Sequence, residues 1–204
     1  MAEFDKYKSS ILEIEGGYQN NPHDPGNYNS RGELVGTNHG ISAKLYEKVI
    51  GRPPTVADMK SITKERALSI FYNWFWVPMM ANKIDSQAIA ETFVDHGINA
   101  GIPRAVRLMQ HVLNDYFYAG LKVDGRMGPK TLAAVNASPE RELFDAYNTA
   151  RIDYYESLNN AHFEHGWKNR VYRLWHKYRY LGGGMAGLIL LAGLIFILRK
   201  YAFP

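Results

Sequence analysis

Two acidic residues near the start of the chain, Glu15 and Asp24, have surroundings suited to acid catalysis. Glu15 follows a segment with helical periodicity and precedes two glycines, whereas Asp24 lies among turn-forming residues. The negative end of a helix disfavours a charged carboxylate, so we expect the pKa of Glu15 to be raised. Hydrolysis of a glycosidic bond needs one carboxyl that gives its proton to the leaving oxygen, and a second, ionised one that attacks or positions water.

The element that positions Glu15 is a short amphipathic helix. It is predicted from apolar residues at steps of three and four: Phe4, Tyr7, Ile11 and Ile14. Glu15 then falls in the last turn, and we expect Gly16 and Gly17 to end the helix in the left-handed conformation. Further along, the hydroxyl of Thr37 has the chemistry to orient a water molecule by hydrogen bonding.

Three motifs around these residues resemble the signature of glycoside hydrolase family 108, lysozyme-like N-acetylmuramidases of phages and bacteria. They are Glu15-Gly16-Gly17-Tyr18, Asp24-Pro25-Gly26 and Thr37-Asn38-His39-Gly40-Ile41-Ser42. A helix-terminal Glu, an Asp nine positions on and a following Thr also resemble the catalytic trio of phage-type lysozymes. The resemblance implies that Glu15 is the general acid, Asp24 the second carboxylate and Thr37 the water-orienting residue.

The same resemblance supplies candidates for substrate contact. Residues 93–101 resemble the family's Asp and Asn-x-Gly segment on a central helix, which contains Asp95 and Asn99. We expect Tyr18, Asn38 and Asn99 to bind substrate, while a hydrogen-bonded place at a helix end is the alternative for Asp95 and Asn99. The chain departs from the family at residues 27–36, which are longer than the usual connection to Thr37.

The second half of the chain carries a different motif. Residues 121–132, with Val123-Asp124-Gly125 and Gly128-Pro129, are similar to the peptidoglycan-binding repeat of cell-wall enzymes. No Ser-, Pro- or Gly-rich linker precedes them, so we expect a second helical lobe and a cleft between the two lobes. The predicted fold is mainly α and lysozyme-like, with a catalytic lobe at 1–102, a second lobe at 103–179 and a transmembrane helix at 180–198.

Helical periodicity and capping residues predict the remaining elements. The expected helices occupy residues 41–49, 86–99, 103–117 and 138–158, with further starts at Thr55, Thr63 and Pro129. The segment 67–74 is expected to bury Ala67, Ile70, Phe71 and Trp74 on one face.

Composition excludes several classes of site. The chain has no cysteine, which rules out disulfides, thiol catalysis and cysteine zinc sites. No His-x-x-x-His spacing supports a metal site around His23 and His39, so we expect neither metal nor cofactor. The net charge is +4, and bases cluster just before residue 180: Lys168, Arg170, Arg173, Lys177 and Arg179. That position favours anionic lipid headgroups over nucleic acid as their partner.

Residues 180–198 form a run of 19 without a charge, bracketed by Arg179 and by Arg199-Lys200. As a helix it would extend about 28 Å, close to the ~30 Å hydrocarbon core of a bilayer. We therefore predict a single-pass membrane anchor. Gly183 and Gly187 are spaced for close approach of two such helices, a weak indication of an oligomer. The excess of bases before the span predicts that the folded part lies on the cytoplasmic side.

Three hypotheses follow. The first is a membrane-anchored muramidase that cleaves peptidoglycan glycan strands in phage lysis or host penetration, located in the host inner membrane or a membrane-containing virion. The second is a non-catalytic peptidoglycan-binding membrane protein, and the third a holin-like component that acts on the bilayer. A retaining or an inverting outcome stays open, because it depends on the separation of the two carboxyl groups in space.

Overall fold

The computed structural model describes residues 1–14, 16–159 and 161–180. Within them the chain is helical, with isolated β-bridges in place of extended strands. It divides into two compact units: an N-terminal unit, Glu3–Trp74, and a C-terminal unit, which joins Met1–Ala2 to the described residues from Phe75 onward. The mainly α fold class predicted from the sequence is confirmed.

The N-terminal unit places a long irregular segment, residues 16–42, between its first two helices. Its helices are α1 (Phe4–Ile14), α2 (Ala43–Ile50), α3 (Val56–Lys60) and α4 (Lys64–Phe71). The side chains of Ser42, Thr55 and Thr63 cap α2, α3 and α4 by accepting a backbone N–H, and Thr55 forms a reciprocal capping box with Asp58. The predicted starts at Thr55 and Thr63 are confirmed.

Helix α1 has the predicted buried face, since Tyr7 and Ile11 are both shielded from solvent. The predicted manner of its ending is wrong, because neither Gly16 nor Gly17 has a left-handed φ. A Cβ at either glycine would meet no atom within 4 Å. The chain instead runs on in irregular backbone towards Gln19, which forms a bridge with Thr37.

The end of α4 differs from the expectation for its aromatic residues. Tyr72–Trp76 form a π-helical turn directly after α4. Trp76 is buried, whereas Trp74 is 38% exposed. A π turn has more residues per turn than an α-helix, so it rotates Trp74 away from the face that Ala67 and Ile70 bury.

The C-terminal unit is built around one central helix. Its helices are α5 (Gln87–Ala100), α6 (Ile102–Phe117), α7 (Pro129–Ala137), α8 (Glu140–Ser157) and α9 (Ala161–Lys177). Helix α5 packs against α6, α8 and α9 and is buried over most of its length. Helix α6 buries the predicted residues Val106, Met109, Gln110 and Leu113.

The turn before α7 is tied to α6. The Gln110 side chain accepts a hydrogen bond from the backbone N–H of Gly125 (2.9 Å) and donates one to Asp124 (3.0 Å). Gly125 has φ +74°, and a Cβ there would lie 2.8 Å from the Pro103 carbonyl oxygen. This glycine is therefore required both by conformation and by space.

Two of the predicted boundaries stay predictions. The lobe boundary at 102/103 is one, and α5, on its amino-terminal side, packs in the same compact unit as α6. The membrane span at 180–198 is the other, because all of it except Tyr180 lies outside the described residues. Among the described residues no helix is long and apolar enough to cross a bilayer.

Candidate active site

Glu15, the predicted general acid, follows α1 directly but lies outside the residues that the structure describes. Its role and its raised pKa therefore stay predictions. The remaining candidates of the first motifs, Tyr18, Asp24, Thr37 and Asn38, all lie in the irregular segment of the N-terminal unit.

Asp24 is the N-cap of a short 3₁₀ turn, Pro25–Asn27, in the turn-rich segment where the sequence places it. Its Oδ1 accepts the backbone N–H of Gly26 (2.8 Å), and its Oδ2 accepts the side-chain amide of Gln19 (3.2 Å). The side chain is half-buried. Each carboxylate oxygen thus has a separate donor, which fixes the plane of the carboxylate while part of it stays accessible.

Gln19 and Asn27 form a reciprocal amide pair beneath Asp24. Gln19 Nε2 donates to Asn27 Oδ1 (3.0 Å), and Asn27 Nδ2 donates to Gln19 Oε1 (2.9 Å). Asn27 is fully buried, and its Nδ2 also donates to the Asn21 carbonyl (2.9 Å). Gln19 Oε1 accepts a further bond from the backbone N–H of Asn21 (2.9 Å). The amide pair therefore holds Gln19 in one orientation.

The long connection at 27–36 folds back on itself. The Asn27 carbonyl accepts the N–H groups of both Val35 (2.9 Å) and Gly36 (3.0 Å), and Tyr28 forms an antiparallel bridge with Leu34. The two ends of the connection therefore meet at Asn27. Thr37, the next residue, can then pair with Gln19 in spite of the length of the connection.

Thr37 is held opposite Gln19. Gln19 donates its backbone N–H to the Thr37 carbonyl (2.9 Å) and accepts the Thr37 N–H (2.8 Å), a hydrogen-bonded antiparallel pair. Side chains directly opposite in such a pair lie on the same face, with Cβ atoms about 5 Å apart. The Thr37 side chain thus lies on the face from which the Gln19 amide reaches Asp24. The structure brings Asp24 and Thr37 together around Gln19.

Sequence reasoning missed Gln19 and Asn27. The available signal was the density of amide side chains between the Tyr18 and Thr37 motifs, since Asn and Gln readily bond to nearby backbone. Which partner each amide binds depends on how the chain folds back at residues 27–36. The spacing of apolar residues does not predict that fold.

The predicted substrate-binding residues have different environments. The Tyr18 hydroxyl donates to the Val35 carbonyl (3.1 Å), and Lys60 Nζ lies 5.0 Å from the centre of the Tyr18 ring. Asn38 is buried, and its Nδ2 donates to the carbonyls of Met59 (2.9 Å) and Ile62 (3.3 Å), which gives its side chain a structural task. Asn99 is exposed near the end of α5 in the C-terminal unit. Substrate contact by these three residues stays a prediction.

Asp95 is neither at a helix end nor exposed. Its side chain is fully buried between two arginines, accepting Arg151 Nη2 (2.5 Å) on Oδ2 and Arg170 Nη2 (2.8 Å) on Oδ1. Burial raises the pKa of Asp95, but the two guanidinium groups outweigh it and hold the pKa below its ordinary value. Asp95 thus joins α5 to α8 and α9.

His96, beside Asp95, is also fully buried. Its Nδ1 lies 2.8 Å from the Tyr147 hydroxyl. Burial, helped by the nearby Arg151 charge, lowers the pKa of His96 well below its ordinary value, so the ring is neutral at pH 7.

The predicted lipid-facing bases are in part occupied inside the protein. Arg170 pairs with Asp95, Lys177 with the buried Glu91 (2.7 Å) and Lys168 with Glu156 (2.6 Å). The assignment of Arg170 and Lys177 to lipid headgroups is therefore corrected. Buried carboxylates on α5 need counter-charges, and α9 supplies them.

Comparisons with known proteins agree with the motifs. Residues 8–101 match the family model described as Glycosyl hydrolase 108, and residues 104–172 match one described as Predicted Peptidoglycan domain. The fold is similar to a solved structure, SagA of Brucella abortus, with a TM-score of 0.73 and 27% identity over 90% of this chain and 97% of that one. No curated protein matches the chain in sequence.

The non-catalytic and holin-like hypotheses do not account for the match of residues 8–101 to a glycosyl hydrolase model. Because of this match, the chain is a glycoside hydrolase that acts on peptidoglycan.

Proposed function

We propose that this hydrolase is a muramidase, which cleaves the linkage between N-acetylmuramic acid and N-acetylglucosamine. The observation that supports it most is the arrangement of Asp24 and Thr37 around Gln19 within the glycosyl hydrolase domain. The identity of the cleaved bond comes from the resemblance to lysozyme-like muramidases.

In this proposal Glu15 is the general acid and protonates the glycosidic oxygen as the bond to the sugar breaks. Asp24 is the second carboxylate, which either attacks the sugar carbon or takes a proton from the attacking water. The hydroxyl of Thr37, on the same face as the Gln19 amide, orients that water. Two donors on Asp24 hold its carboxylate in one orientation for either role.

The bond that is cut can be read from the product. Purified sacculi are digested with the full-length protein in detergent, the new reducing ends are reduced with borohydride, and the sugar alcohols are identified by mass spectrometry. A muramidase yields muramitol ends, and Glu15→Gln yields none. Glucosaminitol ends would contradict the muramidase assignment, and sedimentation with sacculi without any new ends would favour the non-catalytic alternative.

We further propose that the protein is anchored in a membrane by residues 180–198 and acts in phage lysis or host penetration. The support is the uncharged run in the sequence and the likeness of the motifs to phage-type lysozymes. The charge bias puts the enzyme on the cytoplasmic face, away from peptidoglycan. An enzyme held there would reach its substrate once the membrane is breached at lysis, and one in a membrane-containing virion would reach it during infection.

A further inference from the structure

Gln19 is an exposed glutamine whose side chain is nevertheless engaged at both ends. Its Nε2 donates to Asp24 Oδ2 and to Asn27 Oδ1, and its Oε1 accepts from the Asn21 N–H and from Asn27 Nδ2. Two donors and two acceptors are all that a glutamine amide offers. Ordering a long exposed side chain costs conformational entropy, and the four simultaneous hydrogen bonds offset this cost. The Gln19 side chain is therefore held in one conformation.

The base of this arrangement is rigid. Asn27 is fully buried, and its backbone carbonyl receives the N–H groups of Val35 and Gly36 while its own N–H donates to the Asp24 carbonyl (3.1 Å). Gly36 has φ +88°, and a Cβ there would lie 2.6 Å from the Gln19 carbonyl oxygen. The backbone of Gln19 is thus packed directly against the closed end of the 27–36 connection.

The Gln19 side chain holds the Asp24 carboxylate at an oxygen that the local turn does not reach. The bond from the Gly26 N–H reaches only Oδ1 and leaves the carboxylate free to pivot about it. The bond from Gln19 reaches Oδ2 and fixes the second oxygen. Through its backbone pair the same residue also fixes Thr37.

We infer that Gln19 is a positioning residue for the hydrolytic reaction. Its side chain holds Asp24 and its backbone holds Thr37, so that the two residues keep a fixed relative position. The inference rests on the proposed roles of Asp24 and Thr37. Gln19 acts on the reaction only through Asp24 and Thr37. It fixes the carboxylate of Asp24 and the backbone of Thr37, and a displacement of about 1 Å in a catalytic group can cost roughly 100-fold in rate.

Gln19→Met tests the inference, because methionine keeps the length of the side chain but has no amide. The matched control is Asn29→Leu. Asn29 is a buried amide in the same connection, bonded to the N–H groups of Arg31 and Glu33 and to the Pro54 carbonyl, and none of its hydrogen bonds goes to Asp24. The rate of reducing-end release from sacculi is measured against sacculus concentration for both full-length variants, together with thermal unfolding.

We expect Gln19→Met to lower kcat by about 10- to 100-fold with the apparent KM within about twofold of wild type. Asn29→Leu should lower the melting temperature at least as much while kcat stays within about twofold. Gln19→Glu keeps the acceptor but replaces the donor to Asp24 with a like charge, and we expect it to be as slow as Gln19→Met.

Two results would overturn the inference. One is a wild-type kcat for Gln19→Met, and the other is an equal loss of kcat in Asn29→Leu, which would show that general loosening of the loop is the cause. Asp24→Asn, run in parallel, separates this from failure of the catalytic assignment. If Asp24→Asn is as active as wild type, the assignment fails and the role of Gln19 fails with it. If Asp24→Asn is inactive and Gln19→Met fully active, only the role of Gln19 is contradicted.

Discussion

At the scale of single residues, the position of Asp24, the proposed second carboxylate, depends on two amide side chains, Gln19 and Asn27. Asp24 is placed by an Asx turn to Gly26, by the Gln19 amide and by the buried Asn27 below it. The turn around Asp24 could be read from its neighbours Pro25 and Gly26. The amide pair could not, because side-chain amides bond to whichever partner the closed loop presents.

A substitution at Gly36 tests how closely the chain packs against the backbone of Gln19. Its φ of +88° and the 2.6 Å from a built Cβ to the Gln19 carbonyl oxygen leave no room for a side chain. We expect Gly36→Ala to lower the free energy of unfolding by about 2–4 kcal/mol and to reduce activity. Two costs add: the strain of a positive φ in alanine, and the clash of its Cβ with the Gln19 carbonyl oxygen. Chemical denaturation and reducing-end release measure the two effects.

Gly32 is the matched control for Gly36. It lies in the same connection with φ +77°, and a Cβ there would meet nothing within 4 Å. Gly32→Ala should cost only the conformational strain, about 1–2 kcal/mol, and keep wild-type activity. Equal stabilities for the two variants would show that the approach of Gly36 to Gln19 is not a tight contact.

At the scale of helices, the C-terminal unit is held together by charges that its core encloses. Periodicity predicted the helices and the inward face of α6, because apolar spacing is a local signal. It did not predict that Asp95 and Glu91 are buried, since their partners Arg151 and Lys177 lie 56 and 86 residues away. Long-range pairing of charges leaves no periodic pattern in a sequence.

Asp95→Asn should destabilise the C-terminal unit strongly. Removing the carboxylate leaves the fully buried Arg151 without its counter-charge, at a cost of about 3–5 kcal/mol. Lys168→Met is the control on α9, because its ion pair with Glu156 is partly exposed and should contribute less than about 1 kcal/mol. Denaturant unfolding of both variants gives the comparison, and similar losses of unfolding free energy would contradict a stabilising role for the buried pairs of Asp95 with Arg151 and Arg170.

His96 gives the same unit a pH dependence. Its pKa is lowered in the folded state, so below the ordinary value of 6.5 the unfolded chain binds a proton that the folded chain does not. This difference in proton binding does not change the unfolding free energy above pH 6.5. As the pH falls below 6.5, it lowers the unfolding free energy by up to about 1.4 kcal/mol per pH unit. Asp95 contributes only further into acid, because its pKa lies below 3.8.

We expect His96→Phe to flatten the fall in unfolding free energy below about pH 6.5. Tyr147→Phe removes the hydroxyl bonded to His96 but keeps the titrating ring, so it should keep the slope while lowering stability overall. Urea unfolding at a series of pH values measures both. An unchanged slope in His96→Phe would show that His96 is not the source.

At the scale of the whole molecule, a glycosyl hydrolase domain and a peptidoglycan domain follow one another with only two residues between the matched ranges, 8–101 and 104–172. The two modules were recognisable from short motifs. The packing of α5 with α6, α8 and α9 in one compact unit was not, because compactness depends on contacts between distant segments.

The proposed membrane anchor, residues 180–198, can be tested with liposomes. The full-length protein should float with liposomes and stay bound in high salt, because about 19 apolar residues bind by burial rather than by charge. A variant that ends at Arg179 keeps the bases of α9 and should be released by salt or fail to bind. Release of both proteins by salt would contradict the anchor.

In the proposed mechanism, Glu15 and Asp24 of the N-terminal unit catalyse the cleavage of peptidoglycan. The most direct test is the rate of reducing-end release from purified sacculi by Glu15→Gln and Asp24→Asn, with the exposed α1 variant Asp5→Asn as control. We predict that the first two lose at least about 100-fold in rate with unchanged sedimentation on sacculi, while Asp5→Asn keeps the wild-type rate. A wild-type rate for Glu15→Gln or Asp24→Asn would show that the substituted carboxylate is not catalytic.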